Sequence, residues 1–317
     1  MEKLVIQMDL IPLTVISPCY NESGSVRECI ERTLEAVGNF DSDLEFEHIF
    51  IDNSSTDKTV EVLSALKMEF PHIRILQNSE NIGVFRSIRQ AILKSRGRYV
   101  IPFLASDNQD PPEMIAEMLT HIYSGEYDSV FGVRKTRLES NFLLLMRKIF
   151  YKMLNWGLGG NYQSGASEYC IVKRDVAIKV ASIEDNNPFL RIYLSKLQGK
   201  VKYIDYQMDQ RKAGASSANI FTLVDDALNA FSIAMPSIFS RVLVLSSVIS
   251  FCLVGIGIST FLFNLFFHKY SLVILTIVSL VSSVGLLTIG YLSLIGHYLF
   301  ILHSEIRKTS IGETTEL

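Results

Sequence analysis

The sequence predicts an α/β domain with a mainly parallel sheet, followed by a hairpin of two transmembrane helices. Short apolar segments alternate with amphipathic ones along most of the chain, which is typical of parallel sheets built from strand–helix units. Polar clusters directly follow three of the predicted strands. Two long segments near the C-terminal end contain no Lys, Arg, Asp or Glu.

Apolar, partly β-branched runs predict the strands, and apolar residues at helical spacing predict the helices. The predicted strands are residues 11–17, 46–52, 73–77, 98–104, 129–133, 169–173 and 201–208. The predicted helices are residues 83–95, 111–123, 141–158 and 187–197, one that begins after Ser23 or Ser25, and one that begins after Thr56 or Asp57. Asp110 precedes two prolines and Glu113, an order typical of a helix start, which favours an N-cap role for Asp110.

Residues 242–267 and 271–302 each exceed the roughly 20 apolar residues that a bilayer core requires. Buried helices of a soluble core are the alternative, but such helices seldom stay uncharged over this length. Arg241 precedes the first segment and Arg307 follows the second, so the positive-inside bias places residues 1–241 in the cytoplasm.

The predicted domain organisation has four parts. An α/β domain covers residues 1–216, and the hairpin covers residues 242–302. Between them, residues 217–241 predict amphipathic helices that lie on the membrane surface or pack against the domain. The polar tail at 303–317 is expected to fray.

Composition excludes several classes of function. A net charge of −3 gives no basic field, which argues against a dedicated nucleic-acid binder. The four cysteines lack C-x-x-C spacing, which excludes a zinc ribbon or a disulfide framework and favours a reducing compartment. The sequence has neither an H-E-x-x-H zinc motif nor a G-x-x-x-x-G-K-[ST] phosphate loop.

The three polar clusters are residues 18–22, 52–57 and 106–110. The carboxyl ends of parallel strands meet at one edge of a sheet, and ligands of such folds bind there. We therefore expect the three clusters to form one site.

Four segments resemble, in order, the motifs of family 2 glycosyltransferases: residues 15–22 (VISPCYNE), 51–57 (IDNSSTD), 107–113 (DNQDPPE) and 211–216 (RKAGAS). The resemblance is strongest to the polyprenyl-phosphate branch, which includes dolichyl-phosphate mannose synthase and bacterial undecaprenyl-phosphate glucosyltransferases. It covers nearly the whole chain, and the terminal hairpin fits the bacterial members. It implies a GT-A type (Rossmann-like) fold and the transfer of one sugar, with inversion, from a nucleotide-sugar to undecaprenyl phosphate. UDP is the expected nucleotide.

The resemblance assigns nucleotide binding to Pro18, Tyr20, Glu22, Asp52 and Ser106. Asp52 follows a strand, where it can accept hydrogen bonds from a base or ribose, or instead form a turn that leads into the next helix. A strand-to-helix turn is likewise the alternative for residues 18–22.

The resemblance also implies a D-x-D-x-Q-D-P-P-E metal motif, in which Ala105 of this chain replaces the first carboxylate. Asp107 and Gln109 remain as ligands for Mg²⁺ or Mn²⁺. Such a cation neutralises charge on the diphosphate leaving group, so Asp107 is also assigned to catalysis.

The acceptor phosphate is assigned by resemblance to Arg134, Arg211 and Lys212, since Arg binds phosphate through paired donors. Glu168 occupies the place of a proposed catalytic Asp, either as a base or in positioning the acceptor. Its alternative is a solvated carboxylate at a strand edge. Cys170 replaces an Arg of the same family segment.

The whole sequence thus predicts a multi-pass enzyme of the bacterial inner membrane, with a cytoplasmic catalytic domain, that makes a lipid-linked sugar for the cell envelope. The expected partners are a nucleotide-sugar, polyprenyl phosphate, the lipid bilayer and further copies of the chain, for which the resemblance allows a tetramer. Two alternatives stay open. One is transfer to another lipid-linked acceptor, and the other is an inactive scaffold that binds nucleotide-sugar, which Ala105 and Cys170 favour.

Overall fold

The computed structural model describes residues 10–135, 141–160, 163, 165–183, 192–194, 199–209, 220–267, 271–306 and 314–317. The chain forms two compact units. The first contains Met1–Tyr151, Asn161–Asp226 and Lys308–Leu317, and the second contains Lys152–Gly160 and Ala227–Arg307.

The first unit is built around an eight-stranded sheet with the strand order β7-β5-β6-β4-β1-β2-β3-β8. The strands are β1 (Ile11–Cys19), β2 (Phe46–Asp52), β3 (Ile73–Asn78), β4 (Gly97–Ile101), β5 (Ser129–Arg134), β6 (Ala166–Lys173), β7 (Val201–Tyr206) and β8 (Thr314–Glu316). β1 pairs in parallel with β2 and β4, β2 with β3, and β5 with β7, whereas β6 and β8 run antiparallel to their neighbours. The predicted α/β fold with a mainly parallel sheet is confirmed.

Among the described residues, six helices lie between positions 26 and 181. They are α1 (Val26–Gly38), α2 (Thr59–Glu69), α3 (Val84–Leu93), α4 (Met114–Tyr123), α5 (Asn141–Leu158) and α6 (Arg174–Ala181). α1, α2 and α4 enclose one apolar core, whereas α3 and α6 enclose another. Leu13 and Val15 of β1 point into the first core and Ile16 points into the second, because successive strand residues face opposite sides.

Three sequence-based expectations need correction here. β4 ends at Ile101 rather than residue 104, because the next residue, Pro102, has no N–H for the ladder. The helix α6 was not predicted, since it follows β6 directly with no turn signal between them. The tail does not fray throughout, because β8 pairs with β3 and Glu316 forms an ion pair with Arg74 at 2.8 Å. Most of the helix predicted at 187–197 lies outside the described residues.

The second unit contains most of two long helices, α7 (Ile220–Phe267) and α8 (Ser271–Ile306). Each has a segment long and apolar enough to cross a membrane, Ser237–Phe266 and Val273–Leu299. In the 18-residue stretch used to assess each segment, only 17% and 22%, respectively, is buried. A core helix of a soluble protein is instead mostly buried. This exposure favours a lipid environment. α7 continues through Pro236, so the separate amphipathic helices predicted at 217–241 are, from Ile220 onward, the first part of one continuous helix.

Small polar residues line the contact between α7 and α8. Ser250 donates a hydrogen bond to the carbonyl oxygen of Ser283 at 2.9 Å, and the hydroxyl oxygens of Thr260 and Thr276 lie 2.9 Å apart. Small residues allow close approach of helices in lipid, and their hydroxyls are satisfied across the interface.

Candidate functional site

Three loops at one edge of the sheet each contain a non-glycine residue whose backbone is left-handed. Among the described residues, Asn21, Ser54 and Asn108 are the non-glycine positions with positive φ, at 58°, 62° and 62°. They follow β1, β2 and β4, which are adjacent parallel strands, so the three loops lie side by side. Such backbone is uncommon and clusters at functional sites. The structure therefore brings the three predicted polar clusters together.

Hydrogen bonds join the first loop to the other two. The Oδ1 atom of Asn21 accepts the backbone N–H groups of Thr56 at 2.8 Å and Asp57 at 3.2 Å. The hydroxyl of Ser106 donates to the carbonyl oxygen of Pro18 at 2.9 Å. Asn21 was not among the residues predicted from the sequence, although its tolerance of left-handed backbone after a strand was the available signal.

The predicted nucleotide-binding residues divide into buried and accessible positions. Asp52 is fully buried, and its carboxylate accepts the N–H of Ser55 at 3.1 Å and also the Ser55 hydroxyl. This is the turn that the sequence left as the alternative for Asp52. Tyr20 is 46% exposed and Glu22 is half-buried, so these two side chains can meet a ligand directly while Asp52 shapes the loop.

Asn53 connects a fourth loop, residues 79–83, to the end of β2. Its buried Oδ1 atom accepts the N–H of Ile82 at 3.0 Å and the Nδ2 of Asn78 at 3.2 Å. Its own Nδ2 donates to Asn81 at 2.8 Å. The loop that follows β3 is therefore held against the loop that follows β2.

Asp107 and Gln109 lie on the loop after β4, half-buried, and the Asp107 carboxylate accepts the N–H of Gln109 at 3.1 Å. A carboxylate and an amide carbonyl are hard oxygen donors, which fit Mg²⁺ or Mn²⁺ when phosphates and waters complete the shell. The described part of the chain contains no group of three or more His, Cys, Asp or Glu side chains that could hold a metal ion. The donor set therefore fits a cation that is shared with a bound diphosphate.

Asp110 is part of a buried network rather than a helix cap. Its carboxylate accepts a hydrogen bond from the Tyr206 hydroxyl at 2.5 Å and faces Nη2 of Arg134 at 3.3 Å. α4 begins at Met114 without any side-chain cap. The predicted N-cap role is wrong, because the carboxylate turns toward β5 and β7 instead of the N–H groups of α4.

Burial and charge act in opposite directions on Asp110 and Arg134. Burial raises the pKa of Asp110, although the nearby Arg134 partly opposes the shift. Burial alone would lower the pKa of Arg134, but the Asp110 carboxylate raises it, so the guanidinium stays charged. Burial and the charge of Asp110 also raise the pKa of Tyr206. Nε of Arg134 donates to the Tyr206 hydroxyl at 2.8 Å while the side chain stays 36% exposed, so a fixed cation faces the site.

β6 adds Ser167 and Glu168 to the same edge, because it runs antiparallel to β4 and begins where β4 ends. Oγ of Ser167 lies 3.2 Å from the Tyr206 hydroxyl. Glu168 is only 7% exposed, so the alternative of a solvated edge carboxylate is wrong. Cys170 is fully buried, and burial raises the pKa of its thiol, which makes it a core residue.

The remaining predicted residues, Arg211 and Lys212, lie outside the described residues. The segment that leads toward them is anchored near the metal-binding candidates. The N–H of Asp209 donates to the carbonyl oxygen of Gln109 at 2.9 Å. Arg32 also bridges the carboxylates of Asp209 and Glu113, at 3.0 and 2.8 Å.

Comparison with known families gives one match that covers more than half of the chain. The profile of the family described as Glycosyl transferase family 2 matches residues 14–180. This segment contains the loops after β1, β2 and β4, together with β5 and β6.

The sequence is also similar to individual proteins. An uncharacterised glycosyltransferase of Bacillus subtilis, YkcC, is 26% identical over 226 residues, which cover 70% of this chain and 69% of YkcC. The undecaprenyl-phosphate 4-deoxy-4-formamido-L-arabinose transferase of Pectobacterium carotovorum is 27% identical over 218 residues, which cover 68% of this chain and 65% of that protein. Among solved structures, glucosyl-3-phosphoglycerate synthase of Mycobacterium tuberculosis with Mn²⁺, UDP and glucosyl-3-phosphoglycerate has a TM-score of 0.46 at 16% identity, over 73% of this chain and 80% of that chain.

Proposed function

Because the chain belongs to glycosyl transferase family 2, we propose that it transfers one sugar from a nucleotide-sugar to a polyprenyl phosphate. The observation that carries this proposal is the combination of two features in one chain. Residues 14–180 match the family profile, and two exposed, apolar helices are long enough to span a membrane. The name of the P. carotovorum relative, which is an undecaprenyl-phosphate sugar transferase, supports the same class of acceptor.

In the proposed complex the nucleotide, expected to be UDP, occupies the edge formed by the loops after β1 and β2. Tyr20 and Glu22 contact it directly, because both side chains are accessible on the first loop. Asp52, Pro18 and Ser106 support nucleotide binding by holding the loops in shape through the hydrogen bonds described above.

Asp107 and Gln109 would hold the divalent cation through a carboxylate and an amide oxygen. When bound, Mg²⁺ or Mn²⁺ neutralises the negative charge that develops on the leaving diphosphate. The left-handed turn at Asn108 keeps both side chains on one short loop next to the first cluster.

The acceptor phosphate supplies the nucleophile. A phosphate monoester is mostly dianionic near neutral pH, given a second pKa of about 6, so its oxygen needs no general base. That oxygen forms a bond to the anomeric carbon while the bond to the nucleoside diphosphate breaks, and attack from the opposite face inverts the centre. Arg134 orients the phosphate, Glu168 positions the acceptor, and Arg211 and Lys212 add positive charge.

The proposed setting is the bacterial inner membrane, with the catalytic unit in the cytoplasm and the lipid-linked product destined for the cell envelope. The charges that flank the two apolar helices support this orientation. We expect the chain to form a homo-oligomer.

Turnover by detergent-purified protein tests the proposal. Undecaprenyl phosphate is supplied with a panel of UDP- and GDP-sugars and with Mg²⁺, Mn²⁺ or EDTA, while released nucleotide and lipid-linked sugar are measured together. We expect equal amounts of both products from one donor, and none with EDTA. Released nucleotide without lipid-linked sugar would point to another acceptor.

One pair of variants separates an enzyme from an inactive scaffold. Asp107→Asn removes the carboxylate charge, so kcat should fall by about 100-fold or more. Asp205→Asn, an exposed position on β7, is the matched control and should behave as wild type. Nucleotide binding by a wild-type protein that shows no turnover with any donor would favour the scaffold.

A further inference from the structure

We propose that Thr314 of β8 is a positioning residue for the nucleotide donor, and that it acts through Asn78 on the loops after β2 and β3. The proposal rests on the proposed function, because that function places the donor at this edge of the sheet. Nothing in the sequence motifs involves β8, which follows both apolar helices in the chain.

β8 is attached firmly to the first unit. It pairs antiparallel with β3, and the N–H of Leu317 donates to the carbonyl oxygen of Ile75 at 3.0 Å. Arg74 forms two hydrogen bonds with the carboxylate of Glu316, at 2.8 and 3.0 Å. The ammonium group of Lys94 donates to the carbonyl oxygen of Thr314 at 2.8 Å. These bonds fix the backbone of β8 at Thr314.

Asn78 is the point where β8 meets the donor edge. It is 3% exposed, and its Nδ2 donates to Oδ1 of Asn53 at 3.2 Å and to Oγ of Ser87 at 2.8 Å. The Thr314 hydroxyl donates to Oδ1 of Asn78 at 2.9 Å. Both ends of this buried amide are therefore satisfied by specific partners.

Asn53 and Ser87 set the orientation of the Asn78 amide, and Thr314 supplies the donor that this orientation requires. Oδ1 of Asn53 accepts the N–H of Ile82, which identifies it as the oxygen of that amide. It can therefore bond to the amide nitrogen of Asn78 but not to the carbonyl oxygen of Asn78. The other end of the Asn78 amide then faces Thr314, and only a donor there satisfies it. Without the hydroxyl, buried Oδ1 loses its partner, and rotation of the amide would break the bond to Asn53.

The consequence should be confined to the donor. Asn53 follows Asp52 directly, and it holds the loop at residues 79–83, so both loops at the end of β2 and β3 loosen together. Arg134 lies on β5, which is separated from β3 by β6, β4, β1 and β2 in the sheet, and its contacts do not involve Asn78. Donor binding should weaken while acceptor binding stays intact.

The experiment compares Thr314→Val with two controls in the full-length, detergent-purified chain. Thr314→Ser restores the hydroxyl, and Thr315→Val removes the neighbouring hydroxyl, which is exposed and 3.5 Å from the carbonyl oxygen of Gln77. The measurements are the Kd of UDP and GDP, KM for donor and for polyprenyl phosphate, kcat, and the thermal midpoint.

We expect Thr314→Val to raise the Kd of the nucleotide and KM for the donor by about three- to ten-fold, and to lower the thermal midpoint because a buried acceptor loses its donor, while acceptor KM and kcat stay near wild type. Both controls should match wild type. An unchanged nucleotide Kd in Thr314→Val would overturn the proposal, as would a rise of acceptor KM as large as the rise of donor KM. If wild type binds nucleotide without making lipid-linked sugar, the proposed function fails and the Kd comparison still decides this inference. If wild type binds neither nucleotide, both fail.

Discussion

Tyr206→Phe removes one oxygen atom from the centre of the network that fixes Arg134. The hydroxyl lies 2.5 Å from the Asp110 carboxylate, whereas Nη2 of Arg134 lies at 3.3 and 3.4 Å from its two oxygens. The Asp110 side chain is 1% exposed, so water cannot readily replace the lost donor. A hydrogen bond to a buried charged group contributes about 1.5–3 kcal/mol to the free energy of unfolding. We therefore expect the thermal midpoint to fall by roughly 3–12 °C.

Catalysis should change on the acceptor side. Nε of Arg134 donates to the same hydroxyl, so the guanidinium loses one of the two partners that aim it. A misplaced cation costs transition-state stabilisation, and a loss of about 1.4 kcal/mol lowers kcat/KM for polyprenyl phosphate tenfold. KM for the donor should stay within about twofold, because the donor loops have other supports.

The assay measures kcat/KM for each substrate in turn, with the other saturating, together with the thermal midpoint. Tyr203→Phe on the same strand is the matched control, since its side chain is 37% exposed and lies outside the network. Equal effects of the two substitutions on the midpoint and on acceptor kcat/KM would refute the role of the network. A change confined to donor KM would refute the assignment of Arg134 to the acceptor.

Three further predictions concern stability. Burial and the neighbouring His72 lower the pKa of buried His48 well below its usual value, so below about pH 6.5 the unfolded chain binds a proton that the folded chain does not. Thermal stability should fall as pH drops through that range, by about 1.4 kcal/mol per unit, and His48→Gln should reduce the slope. Gly97→Ala should cost at least about 2 kcal/mol, because its Cβ would lie 2.3 Å from the backbone nitrogen of Thr14. Gly290→Val should destabilise the helix hairpin by about 1–3 kcal/mol in thermal unfolding, because its Cβ would lie 2.6 Å from a serine hydroxyl of α7.

Each stability prediction has a control in the same unit. A Cβ atom added at Gly38 or Gly285 would meet no other atom within 4 Å, so Gly38→Ala and Gly285→Val should be nearly neutral. His121→Gln, on α4, is the control for His48. Equal losses in variant and control would contradict the packing arguments, and an unchanged acid slope in His48→Gln would contradict the protonation argument.

The meeting of the three polar clusters was predictable, because the parallel strands β1, β2 and β4 end at a common edge of the sheet. The role of Asp110 was not predictable, because the helix-start pattern is local whereas its actual partner, Tyr206, is 96 positions away in the chain. β8 was missed for the same reason. Its three residues carry little local signal, and the strand exists only through its pairing with β3.

The position of β8 in the chain has a consequence for how the protein is made. The ribosome completes β3 early, but the outer neighbour of β3 is synthesised only after α7 and α8. Until then one edge of the sheet stays open, and an open edge can pair with other chains. Maturation of the first unit thus waits for synthesis of the membrane hairpin. A nascent chain that stalls before β8 therefore leaves β3 as an unpaired edge strand.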